Sequence, residues 1–128
     1  MRKSSTQLAL WLSAYAPAFL WAGLIFYLSA QSILPSFTEV FSDFIFKKSA
    51  HVVVYVVLYM LLFRAFGLTH PHSKQENRWI VPVLLTLCYA ISDEVHQNFT
   101  PGRFGTFRDL GFDMVGVGIC FLRQYKYI

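Results

Sequence analysis

A bundle of membrane-spanning α-helices is the fold this sequence predicts, and three observations predict it. Residues of the AVILMFWYC set make up 55% of the 128, while Asp, Glu, Lys and Arg make up only 14%, against roughly 25% charged in an ordinary globular domain. A chain this short has too much surface for its volume to hide so many apolar side chains in one core. The segment from Leu8 to Ala30 holds no charge at all, and it exceeds the roughly 20 residues that cross a hydrocarbon core about 30 Å thick. The same composition excludes a disordered chain, a basic nucleic-acid-binding domain and a disulfide scaffold.

The first span follows Arg2 and Lys3 and covers about 8–30. A signal peptide would also start with basic residues, and Leu28-Ser29-Ala30 resembles a cleavage sequence, but its apolar stretch would be only about 7–15 residues. Three more apolar runs follow, at about 49–67, 79–99 and 109–124. The second carries His51 near its start and Arg64 near its end, the third meets Asp93 and Glu94, and the fourth begins with Asp109 and Asp113. Ionisable groups inside a membrane rarely face lipid, so these ends are expected to face one another in a bundle. Between the first two spans, Ile33, Leu34, Phe37, Val40, Phe41, Phe44 and Ile45 form the stripe of an amphipathic helix, with Ser36, Glu39, Ser42 and Asp43 on its other face. A short interfacial helix near Ser36–Phe46 is therefore expected.

The 128 residues are thus read as a single all-α domain, a four-helix transmembrane bundle in the cell membrane. Of the 11 basic residues, Arg2, Lys3, Arg64, Lys74, Arg78, Arg123 and Lys126 fall on the side that holds both termini. Lys47, Lys48, Arg103 and Arg108 fall on the other. The excess predicts cytoplasmic N- and C-termini. The loop Thr69–Asn77, with His70 and His72, reads as a solvated connector rather than a metal site. Cys88 and Cys120 sit in apolar runs, where a thiol packs as a small hydrophobe.

This topology brings the unusual polar residues to one depth. Lys48, His51 and Tyr55 are spaced i, i+3, i+7 on one helical stripe, and Asp93, His96 and Gln97 share another. Asp109, Asp113 and Gly116 are spaced i, i+4, i+7. Gly111, Gly116 and Gly118 are candidates for close helix contact. Pro101-Gly102 makes a tight turn between the last two spans. Convergent titratable groups are the usual mark of a site. Several also have plain structural roles: Thr106-x-x-Asp109 is a capping-box-like helix start, and Lys47, Lys48 and Arg108 can reach headgroups.

At these residues the chain resembles the VanZ-like family of small bacterial membrane proteins. The resemblance rests on Ile25-Phe26-Tyr27-Leu28-Ser29-Ala30-Gln31-Ser32, on Lys48-x-x-His51-x-x-x-Tyr55-x-x-Leu58, and above all on Ser92-Asp93-Glu94-Val95-His96-Gln97-x-Phe99-x-Pro101-Gly102-Arg103 with Asp109-x-x-x-Asp113-x-x-Gly116. Two positions depart from it: Lys47 where the family often has Asp, and Asp113 where it often has Asn. The family takes its name from a protein associated with teicoplanin resistance, which implies a cell-envelope role without supplying a reaction.

Two functions fit these residues. The first is a membrane-embedded hydrolase or transferase acting at the outer leaflet on a phospholipid or a lipid-linked cell-wall precursor. Its catalytic residues would be His51, Asp93, Glu94, Arg103 and Asp109, with His51 as base or nucleophile oriented by Glu94 or Asp93. Lys48, Tyr55, Gln97 and Asp113 would bind substrate, Lys48 and Arg103 neutralising its phosphate. The oxygens of Asp93, Glu94, Asp109 and Asp113 would suit a divalent cation such as Mg²⁺. The second function is a non-catalytic binder or modulator whose polar cluster aligns the helices and recognises a headgroup.

Overall fold

The computed structural model describes residues 2–32, 38–103 and 105–126, with side chains from residue 5 onward. Four helices account for most of them: α1 (Arg2–Ser29), α2 (Val40–Thr69), α3 (Gln75–Gln97) and α4 (Phe107–Gln124). No strand occurs among the described residues. Three of the helices are long and apolar enough to cross a membrane, over Ser5–Ser29, Val40–Thr69 and Gln75–Gln97. The fourth is not among them, because Arg108, Asp109, Asp113 and Arg123 interrupt its 18 residues.

Pro17 and Pro82 lie inside α1 and α3, where membrane helices tolerate proline because neighbouring groups satisfy the freed backbone. The Thr86 hydroxyl donates to Pro82 O at 2.8 Å. The expected cap of α4 is present. Thr106 Oγ1 accepts from Asp109 N at 3.3 Å and donates to Asp109 Oδ2 at 2.9 Å, satisfying an amide that a helix start leaves without an internal partner. The second helix departs from expectation by beginning at Val40 rather than near Ser49. Val40–Phe46, expected in a separate interfacial helix, runs without a break into α2. Ile33, Leu34 and Phe37, the rest of that stripe, and Ser36 of its polar face lie outside the described residues.

The arrangement is centred on α2, which touches the other three helices, while α1 and α4 do not meet. Tyr55, Leu58 and Tyr59 of α2 form the core with Ile25, Ala90 and Val117. Gly116 is the contact glycine: a Cβ there would strike Val56 and come within 2.7 Å of Val52 Cγ1. Gly111 and Gly118, expected to act likewise, have open space at that position. They fall on other faces of α4, since only residues three or four apart share one. Trp21 Nε1 donates to Val54 O at 2.9 Å, and the Tyr89 hydroxyl donates to Ala22 O, tying α1 to α2 and α3. The outer faces are apolar, with Phe19 and Leu20 each about three-quarters exposed. Cys120 packs against the core, but Cys88 lies on the outward face of α3 and is exposed rather than buried.

Candidate functional site

The charged helix ends converge at one end of the bundle. The column Lys48, His51, Tyr55 on α2 meets two partner helices. Lys48 forms an ion pair with Asp109 Oδ1 at the start of α4. His51 Nδ1 lies 2.7 Å from Asp113 Oδ1, one turn further along α4. The Tyr55 hydroxyl donates to Asp93 Oδ2 of α3 at 2.9 Å, and Gln97 Nε2 donates to the same oxygen at 3.0 Å. Lys48 also lies within 6 Å of the Phe44 and Phe112 rings, near enough for cation–π attraction.

The turn between α3 and α4 folds over this cluster. Gly102 has φ +78°, a conformation that favours glycine. Gly105 lies against Glu94, and a Cβ there would collide with the Glu94 carbonyl and come within 2.8 Å of Oε2. Thr106 N donates to Glu94 Oε2 at 2.9 Å, and Gly105 N donates to Asn98 Oδ1 at 3.0 Å. Glu94 thus holds the loop that sets the start of α4.

Arg103 reaches from the turn to the end of α1. Its guanidinium donates to Leu28 O at 3.2 Å, Ser29 O at 3.4 Å and Gln97 Oε1 at 3.3 Å. A cation on the last carbonyls of α1 compensates the negative end of that helix dipole. Its hydrogen bonds go to neither Asp93 nor Glu94. The carboxylate hydrogen-bonded to His51 is Asp113, and Glu94 has a carboxylate oxygen within 4.8 Å of the same pair. His96 stands apart from the cluster, stacked on Phe26 at 4.1 Å.

A cavity of about 440 Å³ opens among α1, α2, the end of α3 and the turn, within the size range of small-molecule sites. Ile25, Leu28, Phe46 and Val54 make an apolar wall. Lys47, Lys48 and Arg103 bring positive charge, and His51, Tyr55, Asp93, Gln97 and Asp109 bring polar groups. Glu94 and Asp113 are not among its lining residues; they stand behind His51. Sequence reasoning missed Lys47, which lines the cavity and pairs with Asp43 at 2.7 Å. It also missed Ser29, Gln31 and Ser32 as lining residues, although they belong to the first-span exit that carries part of the family resemblance.

The four expected cation ligands do not come together. Both oxygens of Asp109 are engaged, by Lys48 and by Thr106. His51, Glu94 and Asp113 do form a group, each offering one ligand atom within 4.8 Å of the others. The family model VanZ/LLP1 matches residues 14–124. The chain belongs to the VanZ/LLP1 family. The matched stretch takes in every residue of the cluster and of the cavity wall. Comparison with curated proteins and with solved structures found no match.

Proposed function

We propose that this VanZ/LLP1 protein takes the phosphate-bearing head of a lipid or lipid-linked envelope molecule into the cavity and catalyses hydrolysis or transfer at that phosphate. The observation that carries the reading is a cavity with cations on one part of its wall and aliphatic side chains on another. Such a surface matches an amphiphile with an anionic head. Lys48, Lys47 and Arg103 would neutralise the phosphate, and Tyr55 and Gln97 would position it. His51, backed by Asp113, Glu94 and Asp93, would activate the attacking oxygen, and Asp109 would hold Lys48 in place.

In this reading α4 is a fourth span that turns Asp109 and Asp113 towards α2, and both termini are cytoplasmic. The cluster then faces the outer leaflet of the cell inner membrane, and the first turns of α2 lie in the interface. The uneven distribution of basic residues supports that orientation.

One observation favours a second reading. Most polar groups of the cluster already bond one another across helices, as an aligning network would. A non-catalytic binder that modulates the envelope, including its response to teicoplanin, would need no more than that.

Reconstitution with polyprenyl phosphates and phospholipids separates the two. Phosphate release that is lost in His51→Asn, with the melting temperature kept, is the result expected of the enzyme. Saturable binding without release would leave the modulator, and neither binding nor release would overturn both.

A further inference from the structure

Carboxylate oxygens without partners are enclosed just behind the cavity wall. Asp113 is completely buried and Glu94 is 7% exposed. Asp113 Oδ2 and Glu94 Oε1 have no hydrogen-bond donor among the described residues. Their sister oxygens are held by His51 and by Thr106 N. The nearby cations are committed elsewhere: Lys48 to Asp109, and Arg103 to Gln97 and the end of α1. Two buried carboxylates facing a single imidazole leave negative charge uncompensated, and buried charge is normally paired or coordinated to a metal.

We infer that His51, Glu94 and Asp113 bind a divalent transition-metal ion that ties α2, α3 and α4 together behind the cavity. The three ligand atoms lie within 4.8 Å of one another. Ligands held at about 2.0–2.2 Å from an ion stand roughly 3–3.5 Å apart, so the three groups would draw together on binding. One imidazole nitrogen with two carboxylates suits Zn²⁺ or Mn²⁺, whereas Mg²⁺ and Ca²⁺ prefer oxygen alone. Asp109 is outside the set because both its oxygens are engaged. Asp93, whose Oδ1 is also unpartnered, does not belong to the group. An ion here would engage the imidazole that the phosphate reading uses as a base, so in the loaded protein the ion's charge, acting on any anion bound in the cavity, would take the place of that base.

Metal content is read without substrate, so this inference and the phosphate reading fail separately. The full chain, purified in detergent and stripped with chelator, is titrated with Zn²⁺, Mn²⁺ and Mg²⁺, and retained metal and melting temperature are measured. Retention of one equivalent of Zn²⁺ or Mn²⁺ with a raised melting temperature is expected. Binding should weaken tenfold or more in Glu94→Gln and Asp113→Asn and persist in Asp109→Asn. Metal-free Glu94→Gln and Asp113→Asn should melt no lower than metal-free wild type, since each amide removes a repelling charge. No retained metal in the wild type, a preference for Mg²⁺, or undiminished binding in Glu94→Gln and Asp113→Asn would overturn the site. So would melting of both metal-free variants well below the metal-free wild type.

Discussion

The two ends of α2 are held in place by different physics. At the cavity end, Lys48, His51 and Tyr55 reach carboxylates on two other helices, and several carboxylate oxygens remain without partners. At the opposite end, Phe63 packs on Trp79 at 5.4 Å, Trp79 on Tyr125 at 5.3 Å, and the Tyr59 hydroxyl donates to Gln124. Aromatic rings with polar tips suit the membrane–water boundary and need no buried charge. Buried charge is a costly way to join helices, and aromatic packing does the same task in this molecule a few turns away. The proposed binding of an anion or a metal would account for the carboxylates at the cavity end.

Three substitutions test that contrast. The largest stability loss is expected from Gly105→Ala, because the new methyl meets the Glu94 backbone, which cannot turn aside. Overpacking of this kind costs about 3 kcal/mol, and Gly105→Ala should lower unfolding stability in detergent accordingly. An unchanged unfolding transition would show that the loop over Glu94 is not rigid. A smaller loss, about 2 kcal/mol, is expected from Tyr55→Phe. It keeps the ring but removes one of the two donors to Asp93 Oδ2, and a hydrogen bond to a charged group contributes about 1.5–3 kcal/mol. If the cavity serves the proposed chemistry, Tyr55→Phe should also weaken phosphate-lipid binding.

The mildest of the three is Phe63→Leu at the aromatic end. Losing its ring contacts with Trp79 and Tyr59, with leucine keeping most of the apolar burial, costs about 1 kcal/mol, and both ligand binding and metal retention should be untouched. Equal loss of binding in Phe63→Leu and Tyr55→Phe would mean the two ends act as one unit, and the contrast would fail.

Much of the molecule was legible from sequence because hydrophobicity is a local property. A charge-free run such as Leu8–Ala30 must be a membrane helix whatever it packs against, and the spacing of Lys48, His51 and Tyr55 puts them on one stripe in any α-helix. The cap formed by Thr106 and Asp109 was readable for the same reason, since it involves neighbours in the chain. The break expected between an interfacial helix and the second span was not readable. Nothing in Val40–Ser49 stops a helix, so the described part of the stripe continues into α2. Which glycine makes a contact, which carboxylate meets His51 and where Arg103 points were decided only by tertiary structure. Each depends on how far one helix is rotated and shifted against another. A rotation of α4 by one residue, about 100°, would carry Gly116 away from Val52 and Val56 and would separate Asp113 from His51. Helix spacing names the residues that can meet, and only the packed bundle selects the pairs that do.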